Sequence, residues 1–353
     1  MKELLEKAKH HYDENLPFVI YKKPNKNSLT GIFQEKDTLY TVDDFSEKGF
    51  VFASFDGEKL VLIPENQSKI INAEFHEIGC VATDLKPNLI DESTKIHFEN
   101  LVIKAVKAIG NNDFQKVVLS RKESLEVVNF DMFNAFKTLV QLYPNAFVYC
   151  FNHPKVGTWL GATPEQLLKA NDTKFETIAL AGTQKETGSN QVVWPKKEQE
   201  EQQFVTDYIV EKVKNIASEI FVSKPYSLKA GDIWHIKTDI SGTLKSNNDL
   251  KKVIQLLHPT PAVCGLPMEE SKSFIFENEN YNRSFYTGFL GELNRDNQTD
   301  LFVNLRCMEI ESKLERTKAH LFMGCGITKD SVPEKEWEES VNKSVTMKRI
   351  LDF

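Results

Sequence analysis

Strand and helix signals in this chain come in clusters, and that grouping limits its fold more than any other feature. Segments 51–57 and 59–64 alternate apolar and polar residues around Asp56-Gly57, so they read as two strands joined by a tight turn. Residues 98–109 carry a helical pattern that Gly110-Asn111-Asn112-Asp113 stops, and a β-branched run follows at 116–120. A second helix is expected over 131–142, then strands over 146–151 and 157–161. Thr163 and Pro164 suit the cap and first turn of a helix, so 163–168 reads as a helix start or a tight turn. A long amphipathic helix is expected over 196–221, with Val205, Ile209, Val213, Ile216 and Ile220 as its apolar stripe. Strands follow at 232–244, 288–293, 300–309 and 319–323, a Pro- and Gly-rich loop occupies 258–267, and a helix over 334–351 closes the chain. Strict alternation would predict a doubly wound parallel sheet; clustering predicts an α+β protein with largely antiparallel sheets.

Charge and composition narrow the function. The chain carries 44 Lys+Arg against 51 Asp+Glu, a net charge of 44 − 51 = −7, which argues against nucleic acid or an anionic membrane surface as partner. With 353 residues, 41% of them hydrophobic, it can bury one large core or two moderate ones, and a single globular unit over 1–353 is expected, with 1–95 integrated into it. No stretch approaches the ~18 apolar residues of a membrane span. The first residues, Met1-Lys2-Glu3-Leu4-Leu5-Glu6-Lys7, include acids and lack an apolar targeting core, so a cytoplasmic protein is expected. With no coiled-coil pattern, a monomer is the default. Five cysteines, Cys80, Cys150, Cys264, Cys307 and Cys325, contain no CxxC pair and suit reduced, buried thiols. The eight histidines show no HExxH spacing, so a metal here would be a hard cation held by carboxylates.

Several residues could carry chemistry, each with an ordinary alternative. Glu198 and Glu201, and Glu336 and Glu339, are pairs three residues apart on expected helices. Glu201 falls within the arc of Phe204, Val205 and Tyr208, so it faces inward; Glu336, Glu339 and Lys343 share a face that could equally be solvated. Two inward pairs facing each other would form an oxygen-rich site suited to Mg²⁺. Lys116 lies on the opposite strand face from Val117 and Leu119 among apolar neighbours, where desolvation makes a base; the alternative is an edge lysine reaching solvent. Glu165 reads by default as a first-turn acid favoured by a helix dipole. Arg306, inside an apolar strand, needs an anionic partner such as a substrate carboxylate. Gly182-Thr183 and Gly324-Cys325-Gly326 could turn backbone N–H groups toward an anion, though each alone reads as a turn. His258 before Pro259 is by default a packed loop histidine.

Taken in order, these pieces resemble the chorismate-utilising enzymes, and among them the isochorismate synthases. The matching text is Lys116-Val117-Val118-Leu119-Ser120-Arg121, Gly161-Ala162-Thr163-Pro164-Glu165, Leu180-Ala181-Gly182-Thr183, Lys197-Glu198-Gln199-Glu200-Glu201, the 258–267 loop, Asn304-Leu305-Arg306-Cys307, Gly324-Cys325-Gly326-Ile327, and Glu336-Trp337-Glu338-Glu339 with Asn342-Lys343. It covers about residue 96 to the C-terminus, which the resemblance makes a chorismate-binding catalytic region over 96–353. The resemblance implies two large, mostly antiparallel sheets packed face to face with helices outside. It also implies Mg²⁺-dependent conversion of chorismate to isochorismate, feeding menaquinone or siderophore synthesis. Lys116 would then activate water and Glu165 would protonate the departing hydroxyl. Glu201 and Glu339 would bind the metal, with Glu198 and Glu336 supporting through water. Arg306, Lys343, Gly326 and the Ala181-Gly182-Thr183 turn would hold substrate carboxylates, with His258 near the ring carboxylate. Ala181 stands where an amine-transferring relative carries a nucleophilic lysine, which counts against aminodeoxychorismate synthase. The alternatives are a salicylate synthase and a silent chorismate-binding homologue.

Overall fold

A computed structural model describes residues 1–75, 91–185, 192–230, 233–246, 249–313 and 316–351. Among the described residues, nine strands form one sheet, in the order Gly265–Leu266, Lys116–Val127, Arg316–Ile327, Cys307–Lys313, Gly157–Thr163, Phe147–His153, Phe18–Lys22, Ser28–Gln34 and Ser68–Glu74. The second sheet has ten, and its main path runs Ala217–Val222, Ile233–Leu244, Lys174–Lys185, Gln166–Asn171, Gln298–Val303, Phe289–Arg295, Gly49–Ala53, Leu60–Pro64 and Tyr40–Thr41. The pairings are antiparallel in both, as clustered strands joined by short turns require.

The sheets pack face to face through an aromatic interior. Tyr21, Phe147, Tyr149, Phe151 and Trp159 of the first meet Phe50, Phe52, Leu290 and Phe302 of the second. The rings of Phe52 and Phe285 lie 4.2 Å apart between centroids, and those of Phe147 and Phe302 lie 4.4 Å apart. Fully burying one such side chain contributes about 1.5–3 kcal/mol. Helices cover the outer faces: Lys2–Asp13 and Met132–Leu142 pack on the first sheet, and Lys196–Val213 and Leu250–Leu257 on the second. Helices Glu92–Gly110 and Met268–Asn278 enclose Val117, Leu119, Cys325 and Ile327 near the edge of the first. The α+β expectation of two antiparallel sheets with helices outside is met. The 1–95 region supplies strands to both sheets.

Four local expectations are corrected. Residues 163–168 form no helix: strand Gly157–Thr163 of the first sheet ends, Pro164 brings no N–H to a ladder, and Gln166–Asn171 begins in the second. The helix expected over 196–221 stops at Val213, because the β-branched tail pairs as strand Ala217–Val222 with Ile233–Leu244. Phe204 is about half exposed (52%), so the inward face is set by Val205 and Ile209 instead. The strand expected over 300–309 is two strands in different sheets, Gln298–Val303 and Cys307–Lys313. Arg306 lies in the break with φ +48°, a left-handed conformation that a sharp crossing between sheets demands. Gly324-Cys325-Gly326 is no turn; it continues strand Arg316–Ile327, where Gly326 pairs with Val118.

Cys150, Cys264, Cys307 and Cys325 are buried and unbridged, and Cys80 lies outside the described residues. No described helix is long and apolar enough to cross a membrane.

Candidate active site

Two crossings of the chain from sheet to sheet stand side by side. Thr163 to Gln166 passes from the first sheet to the second, and Val303 to Cys307 passes back. Backbone bonds tie them: Val303 N–H donates to the Glu165 carbonyl (2.9 Å), and Ala162 N–H donates to the Arg306 carbonyl (3.0 Å). An acid and a guanidinium are therefore carried to one place, the rim of a cavity of about 170 Å³. Lys116, Ala181, Gly182, Glu198, Glu201, Gly326, Glu336, Glu339 and Lys343 line the same cavity. The four carboxylates thus face one space, from the helices Lys196–Val213 and Pro333–Lys348.

The groups around the cavity are paired. Lys116, 8% exposed at the start of its strand, donates from Nζ to Glu201 Oε1 at 2.5 Å. Gly326 leaves room for that contact, since a Cβ there would lie 3.1 Å from Lys116 Cε and 3.3 Å from Glu201 Oε1. Lys343 bonds Glu339 at 2.6 Å and the Gly324 carbonyl at 2.9 Å. Burial pulls the Lys343 ammonium down, but Glu339 outweighs it and holds the proton more tightly than usual. Burial pushes Glu339 up, yet Lys343 and Arg306 prevail and keep the carboxyl below its ordinary range. Ligand atoms of Cys325, Glu336 and Glu339 lie within 4.8 Å of one another.

Glu165 behaves differently. Burial pushes its carboxyl up to about 7, and the opposing pull of Lys116 and Lys343 does not restore the ordinary value. No helix dipole acts on it, because no helix begins there. At neutral pH such a group is divided between its acid and its anion, the state a proton donor needs.

His258 departs from expectation. Its Nε2 donates to the Ser54 carbonyl at 3.2 Å and its ring packs 4.9 Å from Phe289, and it does not line the cavity; Ala262 and Val263 represent that loop there. The histidine on the cavity is His235, which the sequence reading missed. Its Nδ1 donates to the Gly182 carbonyl at 2.9 Å, and burial lowers its pKa to about 4, so the ring is neutral. Strand Lys174–Lys185 slips register between Ala181 and Gln184, and Gly182 adopts φ +73°, turning its carbonyl toward His235. Only knowledge of that pairing singles His235 out from any strand histidine. Thr183 follows in the same bulge, its side chain outside the described residues. Tyr286 and Thr287, equally unmarked in the sequence, also line the cavity, as does Leu305.

Comparison with known proteins places the chain in a family. A family model described as chorismate binding enzyme matches residues 61–352. Isochorismate synthase EntC of Escherichia coli K12 is 30% identical over 263 residues, covering 71% of this chain and 66% of that protein. Anthranilate synthase component 1 of Aquifex aeolicus is 27% identical over 272 residues, 74% of this chain and 54% of the relative. The matches thus span from about half to just under two thirds of these relatives' length. Among solved structures, a Bacillus anthracis chain described as a 2,3-dihydroxybenzoate-specific isochorismate synthase, DhbC, superposes with a TM-score of 0.79 at 23% identity, covering 99% of this chain and 98% of that one. The fold, the cavity and the matched motifs converge: this chain belongs to the chorismate-binding enzymes.

Proposed function

We propose that the chain is an isochorismate synthase that acts on chorismate with Mg²⁺. The observation that carries this reading is the joint presence, on one cavity, of Lys116, a buried Glu165 poised near neutrality, and two carboxylate pairs beside Arg306. The donor set fits the ion: Mg²⁺ prefers oxygen, takes few carboxylates directly and keeps water or substrate oxygens for the rest. Glu201 and Glu339 would hold it, with Glu198 and Glu336 acting through water. When bound, it supplies positive charge against which the ring carboxylate of chorismate is oriented.

The remaining steps belong to the chain's own residues. Lys116 takes a proton from the water that adds at C2, the ring double bonds shift, and the C4–oxygen bond breaks as Glu165 gives its proton to the leaving hydroxyl. One water enters and one leaves, so no oxidant or reductant is required. Each positioned proton transfer contributes ~10²–10⁴-fold. Arg306 and the Gly182 bulge face the substrate's carboxylates, and neutral His235 adds a polar contact without repelling Arg306 or Lys343.

Product analysis after incubation with chorismate and Mg²⁺ tests the reading. Isochorismate without pyruvate is expected. Salicylate with pyruvate would move the assignment to a salicylate synthase, and no turnover would favour a silent binding homologue.

A further inference from the structure

We infer that Asn304 and Tyr149, which do not line the cavity, are positioning residues that lock the paired crossings carrying Glu165 and Arg306. The inference deepens the proposed function and rests on its assignment of Glu165 as proton donor.

Asn304 is fully buried between Val303 and Leu305, where the chain leaves one sheet for the other. Each of its polar groups has a partner. Oδ1 accepts from the Tyr149 hydroxyl at 2.6 Å, and Nδ2 donates to the Phe285 carbonyl at 2.9 Å. Its backbone N–H donates to the Gly288 carbonyl at 2.8 Å, and its carbonyl accepts from Thr287 N–H at 2.9 Å. One residue therefore holds the segment bearing Tyr286 and Thr287 against the segment bearing Leu305 and Arg306, and all four of those residues line the cavity. The preceding residue reaches the acid: Val303 donates to the Glu165 carbonyl, and the Val303 carbonyl accepts from Thr163 Oγ1 at 2.6 Å.

Tyr149 anchors this node to the first sheet. It is fully buried, and its ring lies against Gly161, where a Cβ would come within 2.6 Å of Tyr149 Cε1 and 3.2 Å of the Arg306 carbonyl. The absence of a side chain at Gly161 gives the hydroxyl its path to Asn304. Apolar packing would have filled this space as well, but it would not specify one orientation for both crossings; a fully satisfied buried hydrogen-bond node does.

The test uses the whole chain carrying Tyr149→Phe, which keeps the ring and removes the hydroxyl, and Asn304→Leu, which removes both side-chain bonds at similar volume. Glu165 is followed without substrate by infrared difference spectra against Glu165→Gln. The charges that pull on it are Lys116 from its strand and Lys343 from the C-terminal helix, and Glu198, Glu201, His235, Arg306, Glu336 and Glu339 line the same cavity; none of them is altered by either substitution. In folded Tyr149→Phe the Glu165 midpoint is expected to fall from about 7 toward the ordinary carboxylate value, as water reaches a loosened turn. Turnover of chorismate is expected to drop about tenfold or more while KM moves by less than about threefold. An unchanged midpoint in folded Tyr149→Phe overturns the inference, and that result is decisive even if Asn304→Leu does not fold. A wild type inactive on chorismate would sink the proposed function alone, because the substrate-free midpoint still decides the positioning role.

Discussion

At the scale of single residues, function sits where local chemistry conflicts with stability. Glu165 is buried with a carboxyl near 7, against an ordinary value of 4.5. The folded chain therefore holds this proton to higher pH than the unfolded chain does. Below about pH 4 both states are protonated and burial costs nothing; the penalty grows from there to about 7 and is complete above it. Glu165→Gln, neutral throughout, should gain stability relative to wild type by up to about 3 kcal/mol between pH 4 and pH 8, measured by denaturant unfolding at the two pH values. The same substitution should abolish turnover, and an active Glu165→Gln would remove its role as donor. In the wild type, turnover should decline above pH 7 as the donor is lost; a rate that keeps rising to pH 9 would contradict it. Lys116→Ala should lower turnover by ~10²-fold or more while the chain still folds, with some loss of stability because Glu201 is left without its ion-pair partner. Part of this was legible: Lys116 and Arg306 are charged residues in apolar strand text, whereas Glu201 and Glu339 stood out by their helical spacing and Glu165 by the motif resemblance. His235 was not, since one histidine in a strand is ordinary until the register slip at Gly182 is known.

At the scale of elements, two helices deliver carboxylates to one space, and each is fixed by what lies on its other side. The helix Pro333–Lys348 is gripped by Arg121, whose Nε donates to Ser340 Oγ at 2.8 Å and whose guanidinium lies 4.4 Å from the Trp337 ring centroid. Trp337 and Ser340 each follow a cavity carboxylate by one residue, so the grip sets the rotation that aims Glu336 and Glu339. Glu339→Gln should raise the Mg²⁺ concentration needed for half-maximal turnover by about tenfold or more, with the fold retained; an unchanged requirement in a Mg²⁺ titration would count against its ligand role. Gly326→Ala, by pressing a methyl against Lys116 Cε and Glu201 Oε1, should lower turnover while leaving the far side of the cavity intact. Helix boundaries were readable where caps are strong, as at Asp131, which accepts from Phe133 and Asn134 N–H. The break at Val213 was not, because Ile216 and Ile220 fit a helical stripe in projection while Ile220, Phe221 and Val222 suit a strand in space.

For the whole molecule, clustered strands made antiparallel sheets legible, but not which strands change sheets. Residues 300–309 look like one strand because Asn304-Leu305-Arg306 carries no glycine or proline, and the bend is taken instead by Arg306 at φ +48°. The double crossing explains why Glu165 and Arg306, distant in sequence, meet at one cavity: a pair of strands from each sheet is continuous through them. It also bears on the net charge of −7, since five acids, Glu165 among them, gather around a single cavity with Lys116, Arg306 and Lys343 beside them. The proposed addition of water to the ring of chorismate as its hydroxyl departs is tested most directly by turnover in water labelled with heavy oxygen, followed by mass analysis of the product. Isochorismate carrying one labelled oxygen, formed only with Mg²⁺, is expected; unlabelled isochorismate, or a labelled product released together with pyruvate, would contradict the proposed reaction.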